Sequence, residues 1–438
     1  MTADLLYSET ERDLAAALKD LLAAKAAPAD VIARTERPGE TYDAKLWRAV
    51  AAEIGVAGLL IPEALGGAGA SYRELAAAAE QFGAAAAPIP YLGSAAVATA
   101  ALLSAARSAA KHGAAQDGAD QAADEAADSG GFGSAASGPA AAVRAAQLRA
   151  AAARSAGAAR VTPATPVSPA AGLLRRLADG SLTAALAVTA STRPGTPFPT
   201  AARVAGVSDS AVGTVTLRGT IPAVADALPA DVLLVPADGV PSALYLVETS
   251  GPGVHRAPRV SLDMTRQLCD ITLTDAPARQ VAVGADATAA VSAGLAAGAV
   301  ILAAEQLGLA QRCLDLTVAY AKERRQFARQ IGSFQAVKHR LADLWTTIAL
   351  ARAASRYAAA CLADGDPDAP VAVALAKSAC CDAAVLAAQE CVQLHGGIGF
   401  TWEHPAHLYL KRAKAASVAF GTPGAHRATL ADLVNLPA

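Results

Sequence analysis

The residue types best suited to chemistry sit in the last third of the chain. Arg324, Gln326 and Phe327 follow one another at a break in a helical pattern, and Gln335 comes shortly after. Gln393 precedes three glycines within four residues, Gly396, Gly397 and Gly399. A guanidinium holds phosphate oxygens through its forked N–H donors, and glycine lets backbone N–H groups approach an anion with no Cβ in the way. The plainer alternatives are an ion pair between Arg324 and Glu323, and a glycine cluster that only turns the chain. Glu305 and Glu403 are carboxylates near these segments; a helix-surface position suits the first and a structural role the second. His404 and His407 are the one close histidine pair, with only Glu403 beside them, too few groups for a metal. No GxGxxG after a strand, no phosphate-loop lysine and no GxSxG occurs.

These residues need a scaffold, and composition bounds it. The chain has 438 residues, room for about three domains. Hydrophobic residues make up 53% and aromatics only 4%, so the core must be built from Leu, Val and Ala, which favours packed helices. A net charge of −2 argues against nucleic acid as a partner, because phosphate backbones are gripped by clustered Lys and Arg. The six cysteines (Cys269, Cys313, Cys361, Cys380, Cys381, Cys391) show no CxxC spacing and read as small buried hydrophobes. The opening MTADLLYSETERD has no basic stretch followed by an apolar one, so no secretory signal is expected. The apolar run from Ala95 to Ala106 is too short for a bilayer. A cytoplasmic protein without a membrane partner is therefore expected.

The order of elements reads helical, β, helical: mainly α with a β middle domain. Residues 1–107 form an N-terminal helical domain, in which Ser8 caps a helix with Leu14, Leu18, Leu21 and Leu22 on one face. Residues 108–171 are Ala, Gly and Ser with few large apolar groups, so they cannot offset their ordering entropy and read as a mobile insertion. Residues 172–285 hold a lead-in helix and short β-branched runs such as Val232–Val235 and Asp270–Leu273, a small antiparallel β-domain. From 286 to 438 four long amphipathic segments predict a four-helix bundle, broken near Gly332, Asp364–Pro367 and His395–Gly399.

Within that pattern, Tyr320 to Phe327, Gln330 to Asp343 and Gln393 to Glu403 together resemble the acyl-CoA dehydrogenase family. Leu46–Trp47, Gly55 to Gly67 and Pro90 to Ser94 look like that family's N-terminal helical domain. The resemblance covers nearly all of the chain outside the insertion. It implies FAD as cofactor. It also implies that Arg324, Gln326, Phe327 and Gln335 face FAD across a subunit interface. Gln393 and the turn of Gly396, Gly397 and Gly399 would meet the adenosine-diphosphate part of a neighbouring chain's FAD, and Thr422 would belong to the same site. Ala328 stands where the family usually has Gly, a small perturbation by size alone.

The resemblance also implies a base, a glutamate that removes the α-proton of an acyl-CoA thioester while the β-hydride goes to the flavin. A positioned base contributes about 100- to 10,000-fold in rate. Its commoner location, just before a Gly-Thr after the last helix of the bundle, is Phe420 here. The alternative location, on the first bundle helix, is Gly298, between Ala297 and Ala299. The segment Gly219 to Ala225 has Ala223 and Ala225 where the family sets a Trp and a hydroxyl residue against the flavin, and no acidic substrate loop is recognisable from Thr189 to Gly195. By resemblance to heterotetrameric bacterial enzymes of the steroid side-chain type, the chain looks like the subunit that completes the FAD site while a sister chain carries the base. The implied substrate is an acyl-CoA of fatty acid or steroid degradation. The implied partners are that homologous subunit, or a second copy of this chain in a dimer or tetramer, and an electron-transfer flavoprotein. The alternatives are a homo-oligomer with a displaced base such as Glu305, a non-catalytic binding protein, and a flavin monooxygenase on the same fold.

Overall fold

The computed structural model describes residues 5–37, 42–112, 169–207, 214–239 and 241–436. Helix α1 (Glu9–Lys25) starts at a reciprocal cap: the Ser8 hydroxyl accepts from Glu11 N, and Glu11 returns the bond to Ser8 N at 2.6 Å. Leu18 and Leu22 are its buried leucines; Leu14 and Leu21 are half-buried. Helices α2 (Pro28–Thr35) and α3 (Ala44–Glu53) follow, and α4 (Tyr72–Ala85) opens on a second box formed by Ser71 and Glu74. Helix α5 (Tyr91–His112) begins with a wide turn over Tyr91–Ala98, and Gly93 N in that turn donates to the buried Asp226 carboxylate at 2.9 Å. The proposed insertion at 108–171 falls almost wholly outside the described residues.

Helix α6 (Pro169–Ala178) leads into seven strands: β1 (Ala184–Leu186), β2 (Ala202–Val207), β3 (Thr214–Ala225), β4 (Val232–Asp238), β5 (Ala243–Glu248), β6 (Val254–Arg259) and β7 (Leu268–Val283). Their order is β1-β4-β2-β3-β7-β5, and a β4–β5 pairing closes the path back on itself. A buried cluster that includes Leu217, Ile221, Leu233, Val247 and Ile271 fills the interior. The sheet is mixed rather than purely antiparallel, because β1 and β2 both run parallel to β4. The sequence shows strands but not their direction, since pairing is decided across long separations.

The C-terminal helices are α7 (Gly284–Glu323), α8 (Gln335–Asp364), α9 (Ala369–His395), α10 (Ala406–Ala416) and α11 (Pro423–Leu433), with a two-residue hairpin of β8 (Arg325–Gln326) and β9 (Arg329–Gln330) between α7 and α8. The fourth expected segment is thus two short helices. The bundle packs on α4 at two glycines: a Cβ on Gly83 would lie 1.9 Å from Glu305 O, and one on Gly308 would lie 1.8 Å from Glu80 O. Backbone meets backbone there, which only glycine allows. All six cysteines are buried thiols. Among the described residues three helices are long and apolar enough to cross a membrane, including Tyr91–His112, which extends beyond the run read from the sequence. The apolar windows of α5 and α7 are 72% buried inside the fold, so packing accounts for their composition.

Candidate active-site cavity and cofactor surface

Two separate places gather the candidate residues. The first is a cavity of about 500 Å³ between the β-domain and the bundle. One wall is the end of β3, where a bulge between Ile221 and Val224 places Ala223 at φ +50 with Ala225 beyond it. The residue Ala190 binds this wall to the opposite one. Its N–H donates to Ala223 O at 3.0 Å, and its carbonyl accepts from Phe420 N at 2.8 Å. Phe420 lies between α10 and α11 at φ +53, its carbonyl held by His426 Nε2 at 2.7 Å. Left-handed backbone in a bulky residue persists only where its surroundings enforce it.

The two positions at which the family resemblance places the base touch each other. A Cβ built on Gly298 would lie 2.6 Å from Phe420 Cε1 and Cζ and 2.9 Å from Val97 Cγ2. The Phe420 ring therefore occupies the space above Gly298, and an aromatic ring cannot accept a proton. Around it the lining is largely apolar: Leu92, Ala190, Ala223, Ala225, Leu262 and Leu268.

Beneath the cavity lies a buried charge cluster that sequence reasoning missed. Glu305 was expected on a helix surface. Instead its side chain is 6% exposed, with Arg266 Nη2 donating at 2.5 Å and Arg412 Nε at 3.0 Å. Burial pushes the Glu305 carboxyl up, but the two guanidiniums outweigh it and hold it below the usual carboxylate range. A carboxylate so paired is a poor base, which answers the displaced-base role considered for Glu305. Asp263 lines the cavity and is 2% exposed; its Oδ1 accepts from Thr265 N at 2.9 Å and Thr265 Oγ1 at 2.5 Å. Arg412 Nη1 donates to Thr265 Oγ1, which closes the cluster. Nothing in the local sequence around Asp263–Arg266 marked these residues, because their partners lie on α7 and α10.

The second place is the surface at the far end of α7. Gly298 precedes Arg324 by about 26 residues, roughly 39 Å along a helix that rises about 1.5 Å per residue. Tyr320 stacks on His395 with ring centroids 4.5 Å apart, which brings the ends of α7 and α9 together. Arg324, Gln326, Phe327, Gln335, Gln393, Gly396 and Gly397 are all exposed. Among the described residues neither Arg324 nor Glu323 makes a side-chain ion pair, so the plain alternative for Arg324 is not realised. Gln326 Nε2 donates to Arg325 O at 2.9 Å. Phe327 is 88% exposed and meets Phe334 edge-on, while Phe400 and Trp402 are exposed at 77% and 59%.

The glycines divide by role. Gly396, at φ +62, and Gly397 have open space where a Cβ would be, whereas Gly399 is buried and a Cβ there would lie 2.6 Å from Val392 O. Gly399 thus serves packing, not ligand approach. Thr422 is exposed and caps α11, accepting from Ala425 N at 3.2 Å. His404 packs on His395 at 4.4 Å and His407 Nε2 donates to Trp402 O at 3.1 Å, so both imidazoles serve packing. Glu403 is exposed.

The exposed surface fits the adenosine-diphosphate end of FAD: an unpaired guanidinium, two glycines with open backbone and amide side chains. The cavity lacks at Ala223 and Ala225 the aromatic and hydroxyl groups expected against a flavin ring.

Comparisons with known proteins identify the family. The family models described as acyl-CoA dehydrogenase, N-terminal domain, and acyl-CoA dehydrogenase, C-terminal domain, match residues 8–114 and 288–434. Acyl-CoA dehydrogenase IpdE2 of Mycobacterium tuberculosis is 54% identical over 125 residues, 28% of this chain and 37% of that protein. The chain thus spans well under two thirds of that curated relative's length. The solved ChsE4-ChsE5 complex from Mycobacterium tuberculosis is similar over 100% of both chains, with a TM-score of 0.73 and 26% identity. A second solved structure, the Tcur3481-Tcur3483 steroid ACAD G363A variant, is similar over 98% of both chains, with a TM-score of 0.71 and 26% identity.

Proposed function

We propose that this chain, which belongs to the acyl-CoA dehydrogenase family, is one subunit of a heteromeric FAD-dependent enzyme, helping to hold the cofactor while a homologous partner supplies the base. The observation that carries the reading is the packing of Phe420 on Gly298, which fills with a phenyl ring the space where a carboxylate would act. FAD, when bound, accepts the hydride from the β-carbon of an acyl-CoA thioester. The roughly 39 Å between Gly298 and Arg324 is longer than an extended FAD. Arg324, Gln326, Phe327, Gln335 and Gln393 therefore belong to a cofactor whose ring lies on another chain. In that role Arg324 neutralises pyrophosphate charge, Gly396 and Gly397 offer close backbone, and Phe327 is covered by the neighbour. The similarity to solved structures named as two-chain complexes, one of them called a steroid enzyme, supports both the heteromer and a steroid-type acyl-CoA substrate. Electrons leave to an electron-transfer flavoprotein, in the cytoplasm.

The test is purification of the chain alone and after co-expression with a base-bearing homologue. The reading expects little bound flavin and no acyl-CoA-dependent acceptor reduction from the chain alone, and a yellow, active complex with the partner. One observation favours a second reading: Asp263 is a carboxylate lining the cavity. If the chain alone reduces an acceptor with acyl-CoA and Asp263→Asn abolishes it, a homo-oligomer with a displaced base replaces the partner reading.

A further inference from the structure

Arg266 is placed in an unusual way. Its side chain is 91% removed from solvent, one terminal nitrogen is committed to Glu305, and the other, Nη1, is buried without a protein partner. Of the described residues that line the 500 Å³ cavity, Arg266 alone carries such an orphaned polar atom. A buried donor left unmade costs about 1–3 kcal/mol, more for a charged group, so its presence calls for an acceptor that arrives with a ligand. The cavity is otherwise nearly all apolar, and its rim carries exposed apolar side chains, Leu262 at 56% and Val418 at 52%. A molecule that gains by entering must therefore be mostly hydrocarbon.

The charge balance narrows the acceptor. Arg266 and Arg412 are matched by Glu305 and Asp263, while burial pushes the nearby Asp226 carboxyl above its ordinary value. Lys414 also lines the cavity but is exposed to water, so the buried cluster itself has no cation left over, and a neutral oxygen suits Nη1 as well as an anion does, without the desolvation of a second charge.

We propose that this cavity is a binding site in its own right for a neutral apolar molecule, of up to four fused rings, whose single carbonyl oxygen accepts from Arg266 Nη1. The site needs no flavin and no base, so it goes beyond the assignment of the chain as a partner subunit and stands or falls separately from it. Arg266 acts here as a ligand-binding residue of a retained cavity that has exchanged proton abstraction for recognition.

The probes are 5α-androstan-17-one and its parent hydrocarbon 5α-androstane, which differ by the one oxygen. Binding to the full chain is measured by calorimetry or by protection against thermal unfolding. The ketone is expected to bind about tenfold to a hundredfold more tightly than the hydrocarbon, the range of a hydrogen bond to a charged donor. Arg266→Met should erase that ratio while leaving the hydrocarbon's affinity in place. Because Arg266→Met also removes a partner of Glu305, Arg266→Lys is the control: it keeps the charge beside Glu305, lacks the second terminal nitrogen, and should lose the ratio too. Saturating FAD should leave ketone binding unchanged. Equal affinities for the two probes, a ratio that survives in both variants, or displacement of the ketone by FAD would each overturn the proposal. Activity of the chain with or without its partner has no bearing on that outcome.

Discussion

At the residue scale, backbone conformation decides two positions that side-chain chemistry alone left ambiguous. Phe327 and Ala328 form the loop of the β8–β9 hairpin with φ of +52 and +62, a two-residue turn that requires left-handed backbone at both positions. The methyl of Ala328 is small in volume, yet left-handed backbone costs a non-glycine residue roughly 1–2 kcal/mol. Ala328→Gly is therefore expected to stabilise the chain by about 1 kcal/mol, read as a higher urea midpoint; an unchanged or lower midpoint would show the turn to be unstrained. The Phe420–Gly298 contact makes a second prediction. Gly298→Ala places a methyl within 2.6 Å of the ring and is expected to cost about 1–3 kcal/mol by overpacking. In a Phe420→Ala background the same change should cost clearly less, because the ring is gone and only Val97 Cγ2, 2.9 Å away, still obstructs. A double-mutant cycle on denaturation midpoints measures that coupling, and strict additivity would mean the two residues do not share space.

At the element scale, the buried cluster fastens α7 to α10 and to the loop between β6 and β7. Glu305 comes from the first, Arg412 from the second and Arg266 from the third. Removing one partner of such a group strands the others in a dry interior, so Glu305→Gln is expected to destabilise by about 3–5 kcal/mol at neutral pH. The sign of the pH dependence follows from the lowered Glu305 carboxyl. The folded state binds a proton there less readily than the unfolded chain, so this stability is present above the ordinary value of 4.5 and drains as pH falls through the lower folded value. Urea midpoints of the parent and of Glu305→Gln should accordingly keep their separation down to pH 4.5 and converge as pH is lowered below it. A gap that stays constant below that pH would refute the ion-pair account.

At the scale of the whole molecule, the two candidate places lie at opposite stretches of α7, and Arg324 is exposed and unpaired, with Phe327, Phe400 and Trp402 exposed on the neighbouring segments. Such a surface has its meaning in an assembly. In the complex with a base-bearing partner, Arg324→Ala is expected to weaken flavin retention by about tenfold or more, the loss of a charge-assisted hydrogen bond to phosphate. The melting temperature of the free chain should hardly move, since the Arg324 side chain is exposed and makes no hydrogen bond or ion pair among the described residues. Unaltered flavin retention would remove Arg324 from the cofactor site.

The sequence by itself determined the elements. Capping boxes at Ser8 and Ser71, leucine spacing in α1, the breaks after α7, α8 and α9, and the β-branched runs are local signals, and local forces set them. It also pointed to Phe420 and Gly298 as the two positions where the resemblance expects a base. The tertiary structure decided everything that depends on two distant segments meeting: that Phe420 rests on Gly298, that Glu305 is locked between Arg266 and Arg412, that Gly399 packs while Gly396 stays open, and that β1 and β2 run parallel to β4. Periodicity along one chain carries no information about which residue 100 positions away will share a buried space. Only the packed molecule, where desolvation makes each unpaired group costly, settles those partnerships.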